Sequence, residues 1–200
     1  MYQTRQQHGF DEEEYLIKNY SYYRKPENEN YTAEYDCYIK TKDIEYYPEN
    51  VKNIVKKFYE IPVSVKTKKL NQSVEMASLQ RNANIKSDFI LSVAFWEKEK
   101  SNIVGRDVIL IPKEVWLKEF PEELVKKMLN IFVDNNITNS YDDDKRWRSI
   151  RREYKKIWKE SESNINVLFK RDHKNQLRVQ CSIKKPFYNY LLKNYSIKVK

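Results

Sequence analysis

The run "DFILSVAFWEKE", residues 88–99, constrains this chain more than any other stretch. From Phe89 to Trp96 it is almost continuously apolar, the signature of a central strand covered on both faces. Such a strand needs a neighbour on each edge and a layer above and below, which points to an α/β fold. The run is the longest apolar stretch in the chain and is far too short to span a bilayer.

The neighbours are legible from their periods. "YTAEYDCYIK" alternates, with Ala33, Tyr35, Cys37 and Ile39 on one face and Thr32, Glu34, Asp36 and Tyr38 on the other. "IPVSVKTKK" alternates too: Val63, Val65 and Thr67 oppose Ser64, Lys66 and Lys68. "RDVILIP" reads as a further strand. Between them, "ENVKNIVKKFYE" predicts a short amphipathic helix, and "QSVEMASLQRNAN" predicts a second, capped by Ser73, with Met76, Leu79 and Ala83 toward the core. "GFDEEEYLIKNYSYY" has helical period: Phe10, Leu16, Ile17 and Tyr20 form one stripe. Averaging their directions places Glu13 near the middle of that stripe, where a carboxylate is costly unless paired or bound to a cation.

The remainder is richer in helix. "KEVWLKEF" and a helix started by Pro121, "PEELVKKMLNIFVDNN", come first, the latter with an acidic first turn that complements the helix dipole. "RWRSIRREYKKIWKE" carries Trp147, Ile150, Tyr154 and Ile157 on one stripe and a ring of Arg and Lys around it. "NINVLFKRD-HKNQ-LRVQCSIKK" reads as a β-hairpin, and Pro186 opens a last helix. We read one domain over residues 1–200, with a core at about 7–112 and an extension at about 113–200.

Composition removes several classes. With 2 Gly in 200 residues there is no glycine-rich phosphate loop. With 2 His and 2 Cys far apart, no zinc ligand set can be assembled, and Cys37 and Cys181 read as reduced thiols of a cytoplasmic protein. The N-terminal stretch lacks the apolar core of a signal peptide, and no membrane partner is expected. A formal charge of +9 and a content of 14% aromatic residues describe a folded, basic protein suited to a polyanionic partner.

The chemistry lies on the strand faces. If the Asp36 and Lys66 strands are neighbours, the two side chains meet at a common end of the sheet, and Glu75 follows on the next helix, off its apolar stripe. Hydrolysis of a phosphodiester needs a divalent cation that polarises the phosphoryl oxygen and acidifies a bound water. Mg²⁺ takes one or two carboxylates and completes its octahedron with water and phosphate oxygens. A lysine beside it can orient the attacking water and stabilise developing negative charge.

In the order of its elements and in "AEYDCYI", "PVSVKTKK" and "SVEMASLQRNAN", the chain resembles the PD-(D/E)XK nuclease superfamily and, within it, type II restriction endonucleases. The resemblance covers about residues 7 to 112. It implies a restriction-endonuclease-like mixed central β-sheet flanked by helices, Mg²⁺ as cofactor, and double-stranded DNA as substrate. Asp36 matches the family's metal-binding Asp, and Lys66 its Lys. Tyr35 stands where the family has Pro, and Ser64 where it has its acidic residue. A branch of the family with this S-x-K form draws its second carboxylate from the next helix, a role that Glu75 fits. Glutamates on the first helix often lie near the metal in these enzymes, which makes Glu13 an accessory ligand.

The α-rich extension with its hairpin would then supply recognition. Arg171, His173, Lys174, Gln176 and Arg178 lie at or beside the hairpin tip, and Arg and Gln are residues that read base edges in the major groove. Arg148, Arg151 and Lys155 on the basic helix would hold phosphates, together with Lys68 and Asn82. A homodimer matches a palindromic site and supplies one centre per strand. The rival readings are another nuclease of the superfamily, such as a junction resolvase or repair nickase, and a DNA- or RNA-binding protein without enzymatic activity.

Overall fold

The computed structural model describes residues 5–19, 22–23, 35–40, 60–70, 72–97, 103–138, 144–171 and 177–197. The helix expected over 49–60 falls almost wholly outside them. Contacts gather the chain into two compact units. One comprises residues 1–74, 86–113 and 188–200, the other residues 75–85 and 114–187. The expected end of the core near 112 coincides with one crossing, while 75–85 groups with the extension and 188–200 with the core.

The first unit is built on a five-stranded mixed sheet with the order β1-β2-β3-β5-β6. Its strands are β1 (Tyr22–Tyr23), β2 (Cys37–Lys40), β3 (Glu60–Lys69), β5 (Phe89–Trp96) and β6 (Ile103–Ile111). β3 and β5 run parallel; every other pairing is antiparallel. The apolar run behaves as its composition demands. Phe89 through Ala94 are all buried, so β5 is covered on both faces between β3 and β6.

Register sorts the side chains into two faces, because paired residues point the same way. Cys37, Ile61, Val63, Val65, Ile90, Val108 and Leu110 share the first face and form one core with Leu16 of α1 (Arg5–Asn19) and with Ile197. The second face carries Ser64, Lys66 and Lys68 of β3, Leu91, Val93 and Phe95 of β5, and Asp107 and Ile109 of β6. The open edge of β6 is partly covered where Ile109 bridges Ser196 and the Ile197 amide donates to the Val108 carbonyl at 2.7 Å.

The second unit packs helices on a three-stranded sheet with the order β4-β8-β7. β7 (Ile165–Arg171) and β8 (Leu177–Ile183) form the expected hairpin, with Arg171 opposite Leu177. β4 (Val74–Ser78) overturns one expectation: "SVEMAS" is a strand, not the start of a helix. Val74 and Met76 are buried while Glu75 and Ala77 are exposed, a period of two. A window this short fits both periods, and the outcome rests on β8, which pairs with the segment as a strand. The helix α2 (Leu79–Ala83) begins later, and Ser78, not Ser73, is its cap, accepting from the Arg81 amide.

The remaining helices follow their apolar stripes. They are α3 (Lys113–Leu117), α4 (Glu122–Leu129), α5 (Ile131–Asp134), α6 (Asp144–Glu160) and α7 (Lys185–Tyr195). The helix expected from Pro121 is thus two pieces, broken at Asn130. On α6, Ile150, Tyr154 and Trp158 are buried. Trp147 and Tyr154 meet the Phe169 ring of β7 edge-on at centroid separations of 6.4 and 6.3 Å. Among the described residues, no helix is long and apolar enough to cross a membrane.

One buried group at the centre of the first unit lacks compensation. Ser92, between Val65 and Val108 on the apolar face, is fully buried, and its hydroxyl finds no hydrogen-bond partner among the described residues. A buried hydroxyl without a partner costs roughly 1–3 kcal/mol. Ser92→Ala therefore raises stability by about 1 kcal/mol in urea unfolding, with an unchanged denaturant slope.

Candidate active site

The end of β2 sets the geometry. Cys37, the first residue of β2, pairs with Val63, and the Asp36 amide just before it still donates to the Val63 carbonyl at 3.1 Å. Beyond that point, among the described residues, no strand pairs with β3 on that side. The Asp36 carboxylate takes the place of the missing carbonyl: its Oδ2 accepts from the Val65 amide at 2.5 Å. The same oxygen accepts from Lys66 Nζ at 3.2 Å, and Lys66 Nζ also donates to the Val65 carbonyl at 2.8 Å. The two side chains are 22% (Lys66) and 29% (Asp36) exposed, sheltered yet open to a ligand.

Asp36 and Lys66 thus meet at the strand end, as expected from their faces. The Lys66 ammonium is held by one carboxylate oxygen and one backbone carbonyl, which marks a point of negative potential where a cation is stable. Both donors are hard oxygens of the kind Mg²⁺ prefers, and Mg²⁺ completes a shell with water and phosphate after one or two carboxylates. The donor chemistry therefore fits the ion that the family resemblance implies. Among the described residues, no group of three or more His, Cys, Asp or Glu is placed to hold a metal. Ser64 is half-buried beside this pair, on the same strand face as Lys66.

The other site residues fall differently. Glu75 lies on β4, not on a helix, and belongs to the second unit. Its carboxylate is ion-paired with Lys170 of β7 at 2.7 Å, with both groups well exposed. Asn82 is a correction. It is buried, and its amide donates to the carbonyls of Met76 (2.7 Å) and Ser78 (2.8 Å), so it closes the corner between β4 and α2 rather than facing a ligand. Those two carbonyls flank Ala77, whose φ of 60° is a left-handed conformation costly for a residue with a β-carbon.

Glu13 is the second correction. The buried carboxylate of α1 is Glu12, whose Oε1 and Oε2 accept from Arg106 at 2.7 and 3.0 Å, while Glu13 is only half-buried. Two residues of the expected stripe do not face fully inward: Phe10 is 41% exposed and Ile17 is half-buried, and the fully buried positions of α1 are Glu12 and Leu16, one turn apart. Arg106 also lies over the Tyr15 ring at 3.9 Å.

Arg148, Lys155 and Arg178 are exposed, and Arg151 is half-buried beside the inward stripe of α6. His173, Lys174 and Gln176 lie outside the described residues, as does the side chain of Arg171. Sequence reasoning missed Asp107 and Tyr188. Lys66, Val93 and Asp107 occupy one row on the second face of the sheet. Two strand spacings separate Lys66 from Asp107, roughly 9.6 Å between backbones, which is too far for Asp107 to share an ion with Asp36. The Tyr188 hydroxyl donates to Asp107 Oδ2 at 2.6 Å. Burial first, and then the Asp107 carboxylate, push the Tyr188 phenol well above its ordinary value. Only the register of β6, which no local pattern encodes, could have placed Asp107 in this row.

No family model matches the chain, and neither a curated protein nor a solved structure matches it.

Two expectations follow. Glu12→Ala destabilises by about 2–3 kcal/mol, reduced from a fully buried pair because Arg106 is 28% exposed and can reach water. Glu13→Ala costs under about 1 kcal/mol in the same unfolding measurement, and equal losses would reverse the assignment. For Tyr188 the folded phenol holds its proton more tightly than the unfolded one, whose ordinary value is 10.0. Its stabilisation is complete below pH 10 and is lost as pH rises from there toward the folded value. Thermal melts between pH 8 and 11 should thus fall more steeply for the wild-type chain than for Tyr188→Phe.

Proposed function

We propose that the chain is a Mg²⁺-dependent nuclease of the PD-(D/E)XK type that cuts double-stranded DNA in the manner of a type II restriction endonuclease. The observation that carries this reading is the junction of Asp36 Oδ2, the Val65 carbonyl and Lys66 Nζ at the end of β2. Asp36 and the Val65 carbonyl would hold the ion, which when bound supplies a Lewis acid and an acidified water. Asp36 is kept in place by the Val65 amide, so its carboxylate is oriented before any ligand arrives. Lys66, whose ammonium rests on those two oxygens, would give them up to the ion and stay beside it. With a phosphodiester present, its three donors can orient the water and stabilise charge on the phosphoryl oxygens. Ser64, where the family has an acidic residue, brings no charge; Glu75, the sequence candidate for the second carboxylate, stands on β4 and not on the helix that the family pattern requires, so its role rests on the resemblance alone. Base reading is assigned to the hairpin residues Arg171, His173, Lys174, Gln176 and Arg178, and backbone contacts to Lys68, Arg148, Arg151 and Lys155. Two copies would act together on a palindromic site.

A second reading is a nucleic-acid-binding protein without catalysis. It is favoured by one observation: both Asp36 and Glu75 already have protein partners, in Val65, Lys66 and Lys170.

Digestion of plasmid and phage DNA with and without Mg²⁺ separates the two. Discrete fragments support the nuclease, while salt-sensitive binding with no cutting supports the binder. Asp36→Asn keeps an acceptor for the Val65 amide but removes the charge. Asp36→Asn and Lys66→Ala should each lower cleavage about 100-fold or more and retain duplex binding in Ca²⁺. Ser64→Ala should keep substantial cleavage, whereas Glu75→Ala should remove nearly all of it. Wild-type rates in Asp36→Asn would refute the site, and wild-type rates in Glu75→Ala would refute that residue's role alone.

A further inference from the structure

The Lys66 ammonium stands on the same two oxygens that would hold an ion. It donates to Asp36 Oδ2 at 3.2 Å and to the Val65 carbonyl at 2.8 Å, and among the described residues no other acceptor holds it. Asp36 Oδ2 is fixed in turn by the Val65 amide, so the oxygens cannot swing away from the lysine to meet a ligand. The local charges cancel. Asp36 supplies one negative charge, and Lys66 neutralises it. Ser64, half-buried on the same face of β3, adds none. Glu75, the sequence candidate for a second carboxylate, is paired with Lys170 at 2.7 Å. Asp36 and Lys66 thus offer a neutral pair to a divalent ion. Lys66 would have to leave both acceptors, gain none in exchange from the described residues, and remain as a like charge a few ångströms away, in a partly sheltered place where repulsion is stronger than in water. A phosphodiester removes both costs. Its oxygens accept from the displaced ammonium and complete the shell of Mg²⁺, and its negative charge offsets the excess.

We propose, building on the nuclease reading for the identity of the ligands, that Lys66 is the resident cation of this site in the free protein, and that a divalent ion and a nucleic-acid phosphate replace it only together. Ion and duplex are then cooperative ligands, each raising the affinity of the other by one common factor. Without DNA the protein holds the ion weakly. Ser64 sets this dependence: an acid in its place, beside Lys66 on β3, would supply the missing negative charge from the protein itself.

The test is a Ca²⁺ titration of the whole chain without DNA, followed by calorimetry and by the shift of the thermal melt. Lys66→Gln keeps a donor for the two oxygens but removes the charge, and should bind Ca²⁺ about tenfold tighter than wild type or more. Ser64→Asp should give a gain of the same sense with Lys66 in place. Adding Asp36→Asn to Lys66→Gln should abolish the gain, which ties it to this pair of oxygens. A second titration uses a linear plasmid fragment. In wild type, Ca²⁺ should tighten duplex binding about tenfold, and the duplex should tighten Ca²⁺ binding equally. In Lys66→Gln and Ser64→Asp, which already accept the ion, that factor should shrink. Melts identify any variant that fails to fold, and Lys66→Met then replaces Lys66→Gln with the same expectation. Wild-type Ca²⁺ affinity in folded Lys66→Gln and Ser64→Asp, or a wild-type chain that binds Ca²⁺ as tightly without DNA as with it, would overturn the proposal. Should the wild-type chain cut DNA in Mg²⁺ while these affinities stay unmoved, this proposal alone falls. Should the affinities move as expected and no DNA be cut, the nuclease reading falls and this one stands.

Discussion

Burial of β5 on both faces is the constraint on which the first unit depends. Six consecutive residues, Phe89 to Ala94, are removed from water on that strand. Their backbone groups must pair on both edges, because an unpaired buried amide or carbonyl forfeits a hydrogen bond without compensation. β3 and β6 supply that pairing, one parallel and one antiparallel. The parallel partner forces the chain to leave the sheet between β3 and β5, and it is this excursion that carries β4 and α2 into the second unit. The faces then divide the labour. One is apolar and packs Leu16 of α1, and it also holds the Glu12–Arg106 pair and the Ser92 hydroxyl. The other turns polar toward the C-terminal end of β3, where Lys66, Lys68 and Asp107 gather.

Asp36 shows how a structural need and a chemical capacity can fall on one atom. Its Oδ2 completes the hydrogen bonding of β3 where β2 ends, and it also neutralises Lys66. The first role explains why an acid at this place is compatible with an ordinary strand end. The second requires nothing beyond the alternation that puts Lys66 on the face next to it. Electrostatically the pair is modest, since both groups keep some contact with water. What it provides is orientation.

The faces of β2 and β3 were legible in the sequence because their alternation has one solution, and β5 because its unbroken apolar run demands cover on both faces. The hairpin and the stripe of α6 were legible for the same reason: Ile150 and Tyr154 lie inward as their spacing requires. Failures came where a window was short or a stripe was defined by a residue that did not belong to it. "SVEMAS" satisfies helix and strand alike, and only the presence of β8 decides. On α1, Phe10 and Ile17 were counted inward although neither is fully buried, and Glu12, not Glu13, is the buried carboxylate. Asn82 sits on a polar position by sequence and yet is buried, because two carbonyls at a tight corner need its amide. Asp107 and Tyr188 are 81 positions apart, and their meeting depends on register and on the path of α7, neither of which leaves a local trace.

The division of the chain has a consequence for its covalent architecture. Residues 1–74, 86–113 and 188–200 alternate with 75–85 and 114–187, so the backbone passes from one unit to the other four times. Neither unit is a continuous stretch of polypeptide. Removing everything after 113 would take away the Ile197 amide that covers the edge of β6, and would leave β4 without the strand it pairs with. A chain interleaved in this way cannot be cut into autonomous fragments. During synthesis the first unit remains unfinished until residues 188–200 have been made, after the whole of the second.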